Sequence, residues 1–583
     1  MSAADTAAHV LREYSLLADG ERGALVGPRG DIAWLCAPRW HDGSVFSSLI
    51  GGSGVYSTTP AGRFVWGGYY EQRSLIWRSR WVTEDGIVES RDALAYPADE
   101  HRVVVLRRVS TIAAPADVEV LLRPRADYDQ TRMADVRHAD GIWTMRCGDL
   151  RLRWRAGAGV RHRDDTLRLT FRVEPDAHRD FVLEISDVDL PDDPPDPDEL
   201  WRATEAAWAD TVPDTTNTLA SRDVAHSLAV LHGLTSKGGG MVAAATTSLP
   251  ERSETGRNYD YRFVWIRDQC FTGQAAAAVG DMALLDAAVA FVGARLRADG
   301  AKLAPAYLVT GEPLPPEQRL HLPGYPGGTD IIGNHAGAQF QLDAFGESLL
   351  LFAAADRSGR ADAEMWQAVD AAVAAITARW REPDAGIWEL DDRAWTHSRL
   401  IASAGLRAIA ARRQGAAATE ALALADEILA DTARTSLAPE GHWQRAADDP
   451  LLDGALLLPA LRGALPPGDP RTAATLAAYL RELTVDGYAY RFRHDDRPLP
   501  DAEGSFLLCG FLVAMALHEA GDEVEARAWF ERTRSSAGPP LLFSEEYDSR
   551  QHQMRGNIPQ AFVHAVMVEA AARLHRTNDP EEH

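Results

Sequence analysis

The chain has 583 residues, of which 46% are hydrophobic and 25% are charged, and its formal net charge at pH 7 is −25. This length exceeds what a single hydrophobic core usually holds, so two domains are expected. The acidic excess argues against a nucleic-acid or anionic-membrane partner, since both need a basic face, and no stretch approaches the roughly 20 apolar residues of a membrane span.

The N-terminal residues 1–11 are polar and rich in alanine, without a basic stretch that leads into a hydrophobic one. The sequence therefore predicts no secretory signal and favours a cytoplasmic protein. Four scattered cysteines (Cys36, Cys147, Cys270 and Cys509) fit reduced thiols better than a disulfide framework or a zinc site. We expect no metal and no cofactor, and a homo-oligomer remains open.

Residues 14–191 alternate apolar and polar side chains, which is typical of strands that have one face in a core. The clearest segments are 103–109, 150–155 and 166–173. Many such strands, separated by Gly, Asp and Pro turns, predict an antiparallel β-sandwich. A proline- and acid-rich stretch at 189–197 ends the pattern, because it can continue neither strands nor helices.

A helix at 199–209 is predicted to connect this region to a second region, which is helical to the end of the chain. The predicted domains are therefore a β-sandwich at 1–195, a helical linker at 196–220 and a helical domain at 221–583.

About twelve segments of the helical domain show the spacing of amphipathic helices, for example at Trp366, Val369 and Val373. Long connections alternate with tight ones. The long ones are 234–267, 299–334, 382–393, 486–503 and 536–557. Helices joined in this rhythm place every long connection at one rim. Because the sequence lacks a repeat typical of a solenoid, we expect the helix pairs to close into a double-layered barrel.

Two carboxylate-bearing segments fall in these long connections, at Glu389 and at Glu545. Glycosidic hydrolysis needs an acid for the leaving oxygen and a carboxylate on the other face of the sugar, about 6.5–9.5 Å away in inverting enzymes. Trp388 can shield Glu389 and raise its pKa, which suits the acid, whereas the polar neighbours of Glu545 favour an ionised base. The adjacent Glu546 can also raise a pKa, so these neighbours alone leave the assignment open.

Residues 258–268 form a third rim segment. Arg267 and Asp268 offer planar hydrogen-bonding groups for sugar hydroxyls. Tyr261 and Trp265 offer aromatic rings for the C–H faces of a sugar. The alternative is a buried ion pair at the start of a helix, with Asp268 as the N-cap.

Characteristic motifs run along nearly the whole chain. They are YSLLADG (14–20), WLCAPR (34–39), TTSLPE (246–251), WIRD (265–268), HLPGY (321–325), IGN (332–334), QLD (341–343), PDAGIWE (383–389), EGSF (503–506), SEEYD (544–548) and GNIPQAF (556–562). In this order they resemble glycoside hydrolase family fifteen, the glucoamylase, trehalase and glucodextranase family, in its bacterial branch. The resemblance implies an N-terminal antiparallel β-sandwich followed by a C-terminal (α/α)6 barrel.

The resemblance also implies an inverting, exo-acting α-glucoside hydrolase that releases β-glucose, with a small carbohydrate as its partner. Glu389 would be the general acid, and Glu545 the general base that activates water. Arg267 and Asp268 would bind the hydroxyls of the terminal glucose. The rest of the predicted sugar-binding set is Tyr261, Trp265, Trp388, Glu546, His321 and Asn334.

Two departures from the family pattern leave the substrate open. Gln269 and Cys270 follow the Arg-Asp pair where many bacterial members have alanine, and the usual arginine before the IGN motif is absent. Trehalose, isomaltose-type sugars and malto-oligosaccharides all remain. A sugar phosphorylase on a similar plan and a carbohydrate-binding protein without catalysis are the alternatives, and the presence of both glutamates counts against each of them.

Overall fold

The computed structural model describes residues 8–251, 258–494 and 496–575, and sheets precede helices as the sequence predicts. Within residues 8–251, seventeen strands pair into two antiparallel sheets. The eight-stranded sheet comprises β1 (Ser15–Ala18), β2 (Gly23–Val26), β3 (Asp31–Cys36), β4 (Ser44–Phe46), β5 (Val55–Pro60), β10 (Ala116–Arg123), β15 (Arg161–Arg163) and β16 (Thr166–Val173). The nine-stranded sheet comprises β6 (Val65–Tyr70), β7 (Trp77–Val82), β8 (Ile87–Leu94), β9 (Arg102–Ile112), β11 (Arg125–Ala126), β12 (Thr131–Ala139), β13 (Ile142–Cys147), β14 (Leu150–Arg155) and β17 (His178–Ser186).

The two sheets enclose an aromatic core. The strand order is β1-β2-β3-β5-β10-β16-β15 in the first sheet, with β4 beside β3, and β11-β12-β13-β14-β17-β9-β8-β7-β6 in the second. Trp77, Trp81 and Trp154 are fully buried in this core. Each buried aromatic ring removes roughly 150–250 Å² from water, so these rings contribute strongly to stability. The predicted β-sandwich is confirmed.

Helix α1 (Pro197–Thr211) follows the last strand and packs back on the sandwich. The Asp196 carboxylate caps this helix by accepting from the backbone N–H groups of Asp198 and Glu199. Trp208 is buried and stacks on Tyr96, with ring centroids 4.4 Å apart. The helix is the one predicted at 199–209, and the division of the chain at 196–220 stays a prediction.

The helices beyond α1 form a closed, double-layered ring. In the described part of the chain, the inner layer comprises α3 (Ile266–Val279), α5 (Asp343–Arg357), α7 (Thr396–Ala410), α9 (Leu458–Leu461), α12 (Leu507–Glu519) and α14 (Ala561–His575). The outer layer comprises α2 (Ser221–Leu234), α4 (Met282–Asp299), α6 (Ala363–Arg379), α8 (Ala416–Thr435), α10 (Pro470–Glu482) and α13 (Glu523–Arg534). Each inner helix contacts the next, and α14 contacts α3, which closes the (α/α)6 barrel. No helix within the described ranges has the length and apolar character needed to cross a bilayer.

Six long connections lead into the six inner helices, so all of them lie at one rim. They are 235–265, 300–342, 380–395, 436–453, 483–506 and 535–560. They carry α11 (Leu499–Ala502) and the short strands β18 (Val264–Trp265), β19 (Ala306–Tyr307), β20 (Gln318–Arg319), β21 (Ile331–Ile332), β22 (Thr484–Val485), β23 (Tyr488–Ala489), β24 (Ser505–Phe506), β25 (Glu546–Asp548) and β26 (Gln553–Arg555). The sequence did not indicate 436–453, because α9 and the 3-10 turn before it are too short to show a helical period.

A buried arginine joins the sandwich to this rim. Arg262 forms a bidentate ion pair with Asp260, at 2.9 and 2.6 Å. It also donates to the backbone carbonyls of Trp40 and Asp42 in the sandwich, at 3.2 and 3.1 Å. Nearby, the Trp34 indole donates to a rim carbonyl, that of residue 245, at 2.8 Å. These contacts fix the segment that contains residues 258–268.

Arg262→Leu is expected to destabilise the protein strongly, because it leaves the buried Asp260 carboxylate without its cation. The expected loss of unfolding free energy is about 3–5 kcal/mol. Arg172→Leu is the matched control, since Arg172 pairs with Asp117 at 3.3 Å on the surface; its expected cost is at most about 1 kcal/mol. Urea unfolding midpoints measure both, and equal shifts in the two variants would contradict the assigned role of Arg262.

Candidate active site

A cavity of about 180 Å³ opens at the rim of the barrel. Its polar lining comprises Glu251, Tyr259, Tyr261, Arg267, Asp268, His335, Glu389, Arg491, His494, Glu545 and Gln560. Its apolar lining includes Trp265, Phe271, Ile387, Trp388, Phe492 and Phe562. Every described residue that lines the cavity belongs to the helical region. The structure therefore brings together Glu389 and Glu545, which are far apart in sequence.

The Glu389 carboxylate is held by three groups at one oxygen. The Trp265 indole donates to Oε1 at 2.6 Å, and the Gln341 amide donates to it at 3.3 Å. A guanidinium nitrogen of Arg267 lies 3.9 Å away. Glu389 itself has a positive φ of 56°, a conformation that side-chain-bearing residues adopt rarely and that is found at constrained functional sites.

Asp384 fixes the loop that carries Glu389. One of its carboxyl oxygens accepts from the backbone N–H groups of Leu342 and Gly386, both at 3.1 Å, and from the Ser398 hydroxyl at 2.8 Å. These donors come from the start of α5, from the loop and from α7. Burial, and next the charge of Asp343, raises the pKa of Asp384 to about 8. The carboxyl is therefore protonated at neutral pH.

Glu545 lies just before β25 and is 6% exposed. The Tyr261 hydroxyl donates to its Oε2 at 3.0 Å. Burial raises the pKa of Glu545 well above its ordinary value; the negative charge of Glu251 raises it further, and the Arg491 guanidinium opposes both effects. Glu545 thus lies in an environment that favours the protonated form of its carboxyl.

The surroundings of the two glutamates differ from those that the sequence suggested. The Trp388 indole donates to Asp453 at 2.6 Å, and the indole that contacts Glu389 is that of Trp265. The Glu389 side chain is 23% exposed, whereas Glu545 is the more buried of the two. The expected shielding of Glu389 by the Trp388 indole is not observed, and the surroundings of Glu545 favour its protonated form rather than the expected ionised one. Burial alone does not assign the acid and the base.

Arg267 and Asp268 occupy the first turn of α3 beside Glu389. Arg267 donates to the Ile387 carbonyl at 2.9 Å, and its Nε lies 3.4 Å from the Asp268 carboxylate. Burial raises the pKa of Asp268 to about 6. The alternative interpretation is correct in one respect, since this is a buried ion pair, but the N-cap of α3 is Trp265 and no side chain caps the helix.

Three residues of the predicted sugar-binding set are missing from the described residues that line the cavity. Glu546 is fully buried, and its carboxylate accepts from the backbone N–H of Gly504 at 3.1 Å. Asn334 donates to the Asp260 carbonyl at 3.2 Å and so supports the rim. His321 is exposed in the 300–342 connection. Their assignment as sugar-binding residues stays a prediction that this placement does not support.

Two charged lining residues were not predicted. Glu251 ends the TTSLPE motif, and its presence in a matched rim segment was a signal that could have identified it. Arg491 lies 3.8 Å from Glu251 and 3.5 Å from Glu546, and it also pairs with Glu503. Arg491 lies outside every matched motif, so only its place in a long connection pointed to the site.

Comparison with known proteins agrees with this architecture. Residues 220–572 match the family Glycosyl hydrolases family 15, and residues 3–184 match the domain Trehalase-like, N-terminal. A trehalase of Mycobacterium tuberculosis is 32% identical over 631 residues, covering 98% of this chain and 90% of its own length. A trehalase of Thermoplasma acidophilum is 26% identical over 579 residues, covering 94% and 98%.

Two further similarities concern other activities. An isomaltose glucohydrolase of Kribbella flavida is 27% identical over 321 residues, covering 52% of this chain and 76% of its own length. The crystal structure of a bacterial glucoamylase complexed with acarbose superposes with a TM-score of 0.74 at 14% identity, over 98% of this chain and 94% of that one. The fold, the acid-lined cavity and the relatives together define a glycoside hydrolase. The chain belongs to glycosyl hydrolase family 15.

The raised pKa of Asp384 predicts a pH-dependent cost in stability. Its folded-state pKa of about 8 exceeds the unfolded value of about 3.9, so the folded state binds more protons between these values and stability falls as pH rises. Asp384→Asn removes this contribution, which reaches at most about 1.4 kcal/mol per pH unit. Urea unfolding at about pH 5, 6 and 7 should therefore show a shallower decline in the variant. The exposed Asp391→Asn is the control, and parallel curves for Asp384→Asn and the unaltered protein would contradict the assigned protonation.

Proposed function

We propose that this enzyme hydrolyses α-glucosides with inversion and releases β-glucose from small sugars, with trehalose as the first substrate to test. Glu389 is the general acid and Glu545 is the general base. The observation that carries the proposal is the convergence of both carboxyls on one cavity, each with its own aromatic hydrogen-bond donor. The donors, Trp265 and Tyr261, are in edge-to-face contact with ring centroids 5.5 Å apart.

The chemistry follows from this arrangement. Glu389 donates its proton to the glycosidic oxygen as the bond from that oxygen to the anomeric carbon breaks. A water molecule attacks the anomeric carbon from the opposite face, and Glu545 takes the proton that this water loses. The configuration at that carbon is inverted, so an α-glucoside gives β-glucose. Arg267 and Asp268 are placed to bind hydroxyls of the sugar that is released.

The size of the cavity supports a small substrate that is attacked at its end. Pockets for drug-sized ligands measure about 300–1,000 Å³, and this cavity measures about 180 Å³. Such a volume suits one terminal sugar ring better than an internal segment of a polymer.

The relatives support trehalose as that substrate. The proteins of Mycobacterium tuberculosis and Thermoplasma acidophilum, both named trehalase, align over nearly the whole of this chain. The Kribbella flavida protein, named isomaltose glucohydrolase, aligns over about half of it. Isomaltose is therefore the second candidate.

Proton NMR of sugar mixtures tests this proposal directly. Incubation with trehalose, isomaltose, kojibiose, nigerose and maltose is expected to give, from at least one of them, β-glucose from the attacked ring. Trehalose should give equal initial amounts of α- and β-glucose, because its leaving glucose keeps the α configuration. Glu389→Gln and Glu545→Gln should each lower the rate by about 10²–10⁴-fold. Glu440→Gln, at an exposed rim position, should retain full activity. An α-configured anomeric centre at the attacked ring, seen for trehalose as initial products that are α-glucose alone, would contradict inversion, and a glucose phosphate formed only with added phosphate would favour a phosphorylase.

α-Glucosyl fluoride separates the roles of the two glutamates. Fluoride leaves without a proton, so hydrolysis of this substrate needs the base but not the acid. Glu389→Gln should therefore retain most of its activity on α-glucosyl fluoride, whereas Glu545→Gln should lose it. The reverse pattern would exchange the two assignments. Wild-type rates on α-glucosyl fluoride and on the preferred disaccharide provide the reference.

A further inference from the structure

A further carboxylate, that of Glu251, lies in the catalytic cavity beside the proposed base. The Tyr261 hydroxyl is 3.0 Å from Oε2 of Glu545 and 3.3 Å from Oε1 of Glu251. A phenol carries one proton and donates it to one acceptor at a time. Glu251 and Glu545 therefore compete for the same donor. Because both carboxylates contact this one hydroxyl oxygen, they are close enough for the negative charge of Glu251 to raise the pKa of Glu545.

Arg491 is a cation near both carboxylates: it pairs with Glu251, and its positive charge lowers the pKa of Glu545. Arg491 lies 3.8 Å from Glu251 and 3.5 Å from Glu546, and it pairs with Glu503 as well. Glu503 is paired in turn with His494. Arg491 thus faces several buried carboxylates, with Glu251, Glu503 and Glu546 as its ion-pair partners and Glu545 close by. The positive charge of Arg491 opposes the rise in the pKa of Glu545, but the pKa stays well above its ordinary value.

Other charged groups face Glu545 from the opposite wall. Asp268 on α3 adds negative charge, and Arg267 beside it adds positive charge. Glu389 lies across the cavity, near Tyr261. After burial, Glu251 is the strongest of the influences that raise the pKa of Glu545. Glu251 is therefore the group whose removal should change the ionisation of Glu545 most.

We propose that Glu251 is a positioning residue which, acting through Tyr261 and Arg491, sets the acidic limit of the pH range in which Glu545 can activate water. This inference rests on the proposed role of Glu545 as general base. Glu251 exchanges no atom with the substrate. The charge of Glu251 keeps the Glu545 carboxyl protonated up to a higher pH. If only Tyr261 and Arg491 acted on Glu545, the carboxyl would ionise at a lower pH.

The test is the pH dependence of kcat/KM for trehalose, from about pH 4 to pH 9, which reports the ionisation of groups in the free enzyme. A general base must be ionised, so activity falls as the pH drops through its pKa. Glu251→Gln removes a neighbouring negative charge and lowers that pKa. We expect the acidic limb to move to lower pH by at least about 0.5, so that on this limb the variant keeps about threefold more of its plateau activity.

Two variants control for a merely structural effect. Glu251→Asp keeps the charge and should keep the acidic limb at the wild-type position, even if the plateau changes. Glu440→Gln makes the same chemical change at the exposed rim and should change nothing. A structural role of Glu251 would lower the plateau in both Glu251 variants and leave the limb in place.

Tyr261→Phe gives an independent measurement with the opposite sign. Loss of the hydroxyl removes a hydrogen bond to the ionised form of Glu545 and raises its pKa. The acidic limb should therefore move to higher pH in this variant. This readout applies even where Glu251→Gln does not fold.

Each outcome bears on a different claim. If Glu545→Gln is inactive on trehalose and Glu251→Gln leaves the limb unmoved, the role of Glu251 is wrong and the base assignment stands. An unmoved limb in Tyr261→Phe also overturns the role of Glu251. Retained activity in Glu545→Gln overturns the proposed function, and the role of Glu251 with it. Opposite shifts in Glu251→Gln and Tyr261→Phe support the inference.

Discussion

Closure of the helical ring is the constraint on which the rest of the structure depends. Because each inner helix follows a long connection and each outer helix after α2 follows a shorter one, all six inner helices start at the same rim. Their N-termini carry unpaired N–H groups and partial positive charge, which favour carboxylates placed in the first turn. Asp268 and Asp343 occupy such positions on α3 and α5. Ring closure thus supplies both the loops and the local field of the cavity.

This field lessens the cost of burying carboxylates but does not remove it. Burial raises the pKa of Asp343 to about 6 although backbone groups at the start of α5 oppose the change. Deeper in the barrel, Arg462 binds Glu569 at 2.9 Å and lies 4.0 Å from Glu347. Buried ion pairs add little net stability, whereas loss of one partner is costly. The charged groups inside the barrel are therefore expected to matter to stability mainly when one partner is removed.

The sequence predicted the architecture because its signals are local and repeated. Alternation at 150–155 corresponds to β14, and helical spacing at 366–373 corresponds to α6. The order of long and tight connections also placed Glu389 and Glu545 at one rim. The electrostatics of the pair could not be predicted in this way, because they depend on neighbours in space. Trp388 immediately precedes Glu389 in the sequence, yet its indole donates to Asp453.

Motif membership had a similar limit. Asn334 and Glu546 belong to matched segments, but their side chains bind the protein itself. Arg491 belongs to no matched segment and lines the cavity. A motif contains residues that support the fold as well as residues that line the site. Only the three-dimensional structure shows which residue does which. Trp265 was predicted as an aromatic ring for the face of a sugar, and its indole N–H proves also to donate to Glu389.

The segment at 258–268 has a consequence for how the domains cooperate. Tyr261 and Arg262 are adjacent, yet the first contacts Glu545 and the second contacts the backbone of the sandwich. One peptide unit therefore separates the hydrogen-bond donor of the proposed base from the seam between the domains. A displacement of the sandwich backbone at Arg262 would therefore also move Tyr261, the residue that donates to Glu545, without any change in the packing of the barrel core. Because the sandwich partners of Arg262 are backbone carbonyls, this connection depends on the path of the sandwich backbone more than on the side chains there.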